Sequence, residues 1–247
     1  QVYPGLILPS SNLGLQEISG VRGSTDINEI GEFNPSVRSI AAYKAESVIV
    51  NTLRLNGILL AHTVPGGQLI AGQSSVVQLD AWNYEDAAYK TDMGMHFYMP
   101  SLLSRGGGRG FGGGRGFGGA PAGDPIKEAL DKIESVKAIF REAKAYHQKG
   151  ADKQINLKLE ATKGLFNNTQ KLFVHCDQVK QMIVAIDFVK EFGFDVVVVG
   201  ASESWQIADL LKANNIAVIL TQEHSLPTSD DDDIDQPYKA ASVLQKA

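Results

Sequence analysis

The chain has one cysteine in 247 residues, Cys176. A lone thiol rules out an internal disulfide and a cysteine-cluster zinc site. Long apolar runs are also missing. None approaches the roughly 20 residues that a membrane-spanning helix needs. There is no excess of positive charge: 23 Lys and Arg stand against 28 Asp and Glu, for a net charge of -5. That balance gives the chain as a whole no basis for binding a polyanion. Neither a Walker pattern nor Gly-x-Gly-x-x-Gly accompanies Gly66, Gly67 and Gly72, so these are taken as turn glycines rather than a phosphate cradle. What is present is ordinary for a globular protein: 43% hydrophobic and 21% charged residues. That length can bury one large core.

Local patterns organise the chain. Apolar runs at residues 2–8, 58–62, 75–79, 95–99, 171–175, 195–199 and 216–220 predict strands. Residues 39–56 suit one helix, which Gly57 is placed to end. Asp124 and Pro125 predict a helix start, as N-cap and first-turn proline. Ile126, Leu130, Ile133, Val136, Phe140 and Ala143 mark its apolar face at steps of three and four. A further helix is expected over about 155–165. In the last third, strands alternate with helices over 178–191 and 203–213. Those strands are continuously apolar rather than alternating, so both their faces should be buried. Such βα units imply a parallel sheet. Residues 105–123 are a Gly-rich tract holding Arg105, Arg109 and Arg115. It is expected to be a flexible insert rather than an RNA-binding box, because so much glycine cannot repay the entropy of ordering.

The opening run Pro4-Gly5-Leu6-Ile7-Leu8-Pro9-Ser10-Ser11-Asn12 resembles the first barrel strand of the amidohydrolase superfamily. That strand typically reads Pro-Gly-Leu-Ile-Asp-x-His-x-His. Here Leu8 stands at the Asp position, and Ser10 and Asn12 at the two His positions. Gly57-Ile58-Leu59-Leu60-Ala61, Pro65-Gly66-Gly67, the run from Ile70 to Val77, and Asp80-Ala81-Trp82-Asn83 resemble the bacterial, imidazolonepropionase-like branch. The resemblance implies an α/β fold, a TIM-like β/α barrel, as one domain over residues 1–247. Gln1 at the start and an uncapped helix at the end lead to the expectation of a barrel truncated at both ends. About six core parallel strands are counted where a closed barrel has eight. The open edge should then favour aggregation or a homo-oligomer.

The resemblance implies metal-dependent hydrolysis of amide or cyclic amide C–N bonds, with a small amide or peptide substrate. The cofactor would be zinc or another divalent metal, or none if the site is degenerate. His175, at the end of the fifth family strand, is the one expected metal ligand. Ser10 and Asn12 become candidate substrate contacts. Val199-Gly200-Ala201 lacks the sixth-strand histidine. His62 and His96 lie within strands and could substitute if they face the barrel mouth. The acidic loops around Asp26 and Asp230–Asp233 are taken as solvated surface. A non-catalytic barrel that binds a small ligand or a partner protein is the alternative. No nucleic-acid or membrane partner is expected. The compartment stays open between bacterial periplasm and cytoplasm.

Overall fold

The computed structural model describes residues 4–18, 20–103, 124–149, 154–221, 224–227 and 231–247. The Gly-rich tract lies outside them, and so does its expected flexibility. Seven strands form one sheet in sequence order: β1 (Leu6–Ser11), β2 (Ile58–Thr63), β3 (Leu69–Gln78), β4 (Ala88–Tyr98), β5 (Lys171–Cys176), β6 (Val196–Gly200) and β7 (Ala217–Leu220). The sheet curls into a nearly closed barrel, bringing the ends of β1, β4, β5, β6 and β7 around one cavity. β1 and β7 are the sheet's edges. A 790 Å³ space beside them is lined by Pro9 on one side and Val218, Ile219 and Leu220 on the other.

Six strands run the same way, as the sequence leads one to expect. β3 does not: it is antiparallel to both β2 and β4. The short connection through Pro65, Gly66 and Gly67 leaves no room for a crossover helix, so the chain must return antiparallel. β3 is also longer than the apolar run at 75–79. Its first half holds Gly72, Gln73 and Ser74, which hide the strand from a hydrophobicity reading. Gly72 sits at a register irregularity with φ +139. A Cβ there would come within 2.7 Å of the Val37 carbonyl oxygen.

Nine helices are described: α1 (Ser39–Ala42), α2 (Val48–Leu55), α3 (Tyr84–Ala87), α4 (Pro125–Gln148), α5 (Leu157–Glu160), α6 (Lys163–Phe166), α7 (Val179–Phe192), α8 (Ala208–Ala213) and α9 (Gln236–Lys246). The single helix expected over 39–56 is broken. Tyr43 turns extended and is buried, and Ser47 caps α2 by accepting from the Ile49 N–H. The helix expected over 155–165 likewise splits into α5 and α6. Asp124 caps α4 as predicted, its Oδ1 accepting from Ile126 N–H at 3.1 Å. The buried face of α4 runs through Ala129, Ile133, Val136, Phe140, Ala143 and Tyr146. Leu130, expected on that face, is 48% exposed. The neighbouring Ala129 is buried instead.

The strands divide their side chains between two interiors. Outward residues such as Met95, Phe97, Leu172, Val174, Val196 and Val198 pack with Phe140, Phe188 and Phe194 from the helical layer. Inward residues such as Phe173, Val197 and Val199 fill the barrel. Both faces being buried accounts for the continuous apolar runs of β5 and β6. Among the described residues, no helix is long and apolar enough to cross a membrane.

Candidate functional site at the barrel mouth

Parallel strands end together, so their last side chains converge on one rim. A 300 Å³ cavity opens there. Ser10 of β1, Tyr98 of β4, His175 of β5, Asp177 just beyond it, Gly200 of β6 and Thr221 after β7 all line it. Ser10 arrives by a backbone device. The β1–β2 register slips between Leu8 and Ser11, and Ser10 has φ +47. Bulges of this kind re-aim a side chain at a strand end. Asn12 lies elsewhere, on a separate 330 Å³ cavity with Leu8, Glu17 and Leu53. Its Nδ2 donates to Gln16 Oε1 at 3.4 Å.

Register carries three histidines into the barrel. His96 pairs with Phe173, Tyr98 with His175, and His62 lies across from Val76. His96 Nδ1 is 2.8 Å from His175 Nε2. His96 stacks on Phe173 at 4.8 Å between ring centroids, and Tyr98 stacks on His175 at 4.0 Å. His62 Nε2 is 2.7 Å from Ser74 Oγ. Ser74 spends its one proton on the Gly94 carbonyl, so His62 must be the donor in that pair. The rings are neutral near pH 7. Burial pushes His62 down to about 4. Burial and then repulsion from His62 push His175 down to about 4. Burial, then His175 and His62, hold His96 well below the usual imidazole range.

The remaining rim groups have settled roles. Tyr98 Oη donates to the Pro65 carbonyl at 3.1 Å, and burial pushes its phenol up to about 12. Burial, then Asp177, pushes the Cys176 thiol up to about 12. A thiol so disfavoured as thiolate is no nucleophile. Gln181 accepts from the Asp177 and Gln178 N–H groups and donates to the Pro100 carbonyl. The Asp177 carboxylate faces the cavity beside Gly200. A Cβ on residue 200 would lie 2.6 Å from Asp177 Oδ1, and φ there is +96. Sequence reasoning passed over Asp177, Tyr98 and Thr221. Asp177 follows His175 by two residues at a strand end, a position that could have drawn notice.

The mouth does not fit a catalytic zinc. Such a site takes about three imidazole, thiolate or carboxylate ligands. Here His175 and Asp177 are the two groups of that kind on the rim, Ser10 offers only a hydroxyl, Gly200 offers nothing, and Asn12 is on another cavity. Among the described residues, no group of three or more His, Cys, Asp or Glu side chains is placed to hold a metal.

No protein-family model matches the chain, and no curated protein matches its sequence. Its fold is similar to the crystal structure of an amidohydrolase from Thermotoga maritima MSB8, with a TM-score of 0.78 at 18% identity. The superposition covers 99% of this chain and 63% of that one. The chain therefore shares the barrel fold of that structure and spans under two thirds of its length.

Proposed function

We propose that this chain is an amidohydrolase-type barrel that binds a small amide-bearing molecule at its mouth without metal-assisted hydrolysis. One observation carries the reading: the conventional ligand positions hold Ser10, Asn12 and Gly200, while His175 Nε2 is engaged by His96. What the rim does offer is suited to holding an amide. Ser10 and Thr221 hydroxyls and the His175 imidazole lie around the cavity with the Asp177 carboxylate. An amide carries both a carbonyl acceptor and an N–H donor for such a set. A cavity of 300 Å³ is at the small end for ligand sites and matches a dipeptide or a cyclic imide.

Hydrolysis of a C–N bond is the second reading. The fold likeness over 99% of the chain favours it. One experiment separates the two. The full chain is titrated with succinimide and with glycylglycine, followed by NMR, and the same samples are assayed for succinamic acid and glycine with and without added zinc. Saturable shifts at Ser10, His175 and Thr221 without product support the binding reading. Product formation overturns it in favour of hydrolysis. Absence of both binding and turnover overturns the amide site altogether.

A further inference from the structure

We infer that His96 is a positioning residue that makes His175 a hydrogen-bond donor at the barrel mouth, so that the ligand presents a carbonyl or carboxylate oxygen to it. The inference rests on the reading that the mouth binds a ligand, and it specifies which end of that ligand His175 receives.

His96 is fully buried, and among the described residues its Nε2 has no hydrogen-bond partner. Its Nδ1 is 2.8 Å from His175 Nε2. Two neutral arrangements satisfy that contact. In the first, His175 Nε2–H donates to His96 Nδ1. His96 must then carry its own proton on Nε2, as a buried N–H with nothing to accept it. Orphaned buried N–H groups are rare because they forfeit a full hydrogen bond to water. In the second, His96 Nδ1–H donates to His175 Nε2. Only a lone pair is then left unmet on His96 Nε2, the milder of the two defects. The second arrangement is favoured, and it puts the proton of His175 on Nδ1.

That atom is where a ligand can reach it. His175 Nδ1 has no partner among the described residues and is not among the atoms sealed from solvent. His175 itself lines the cavity. Stacking holds both rings in plane: Phe173 lies within 6° of parallel to His96, and Tyr98 within 11° of parallel to His175. The donor direction is therefore fixed in advance, which reduces the ordering cost of binding. The Asp177 residue lines the same cavity as an acceptor, so an amide would present its oxygen to His175 and its N–H to Asp177.

The test is the tautomer. Two-bond proton–nitrogen correlation on the full chain with labelled histidine, near pH 7.5, assigns each ring. Protons on Nδ1 of both His96 and His175 are expected; a proton on His175 Nε2 overturns the inference. His96→Asn places an amide donor near the Nδ1 position, and His96→Asp an acceptor. The Asn variant should keep the His175 tautomer and bind succinimide within about threefold of the parent. The Asp variant should move the His175 proton to Nε2 and weaken succinimide roughly tenfold, the worth of one hydrogen bond. Equal binding in both variants overturns the inference. If the Asp variant does not fold, the parent spectrum and the Asn variant still decide. Succinimide failing to bind while His175 carries its proton on Nδ1 overturns the amide site and not the tautomer. Succinimide binding with the proton on Nε2 overturns the tautomer and not the site.

Discussion

Mild acid should destabilise this protein through its buried histidines. His62 and His175 are held at about 4 in the folded chain, against an ordinary value of 6.5. Between those values the unfolded chain binds more protons than the folded one. The stabilisation is thus fully present above about pH 6.5 and is lost as the pH falls toward 4. The gap is worth about 3 kcal/mol per histidine over the whole window, and about 2 kcal/mol of it is gone by pH 5. The repulsion between them acts in the His175 shift alone, so their joint loss by pH 5 should approach twice that, at about 4 kcal/mol. Urea unfolding followed by circular dichroism at pH 7, 6 and 5, at constant ionic strength, measures it. Stopping at pH 5 keeps most carboxylates ionised and the histidines dominant. In the His62→Gln, His175→Gln double variant the slope should flatten, leaving the contribution of His96. A parent whose stability is unchanged between pH 7 and 5 would refute the reasoning. A double variant with the parent's slope would do the same.

Elemental analysis of the full chain purified without chelator should find zinc well below one per chain, and His175→Ala should not change that content; stoichiometric zinc lost in His175→Ala would reverse the reading of the mouth. Gly94→Ala should lower stability by about 1–3 kcal/mol or more in chemical unfolding, because its Cβ would collide with the Phe173 ring and approach the Lys171 carbonyl oxygen at 2.9 Å. Gly200→His, which puts an imidazole where the resemblance to amidohydrolases leads one to expect it, should cost at least about 1 kcal/mol and create no zinc site; φ +96 and Asp177 both oppose a side chain there. Phe140→Ala removes a ring that is fully buried against Phe188 and Phe194, and should cost about 3–5 kcal/mol by the same unfolding assay.

Much of the frame was legible in the residues themselves. The apolar runs of β5 and β6 announce strands buried on both faces, and Asp124-Pro125 marks the start of α4 to the residue. These signals are local, carried by side-chain size, polarity and capping chemistry within a few positions. Ser10 and Gly200 likewise show, set against the amidohydrolase strands that the chain resembles, a hydroxyl and a bare backbone where the resemblance leads one to expect imidazoles. The rest depended on contacts between distant segments. The direction of β3 follows from how tightly the chain turns after β2, and its polar first half is strand because Ile70, Gln73 and Ser74 find partners on β4 and on the segment around Val37. The break between α1 and α2 follows from Tyr43 finding a core to enter. No spacing in the sequence shows that Ser10 faces the cavity while Asn12 does not, since the register slip between Leu8 and Ser11 re-aims Ser10 and Asn12 lies beyond the end of β1. Nor does it show that His96 and His175, 79 residues apart, share a hydrogen bond. That contact exists because β4 and β5 pair in one register, and register is a property of the sheet rather than of either strand.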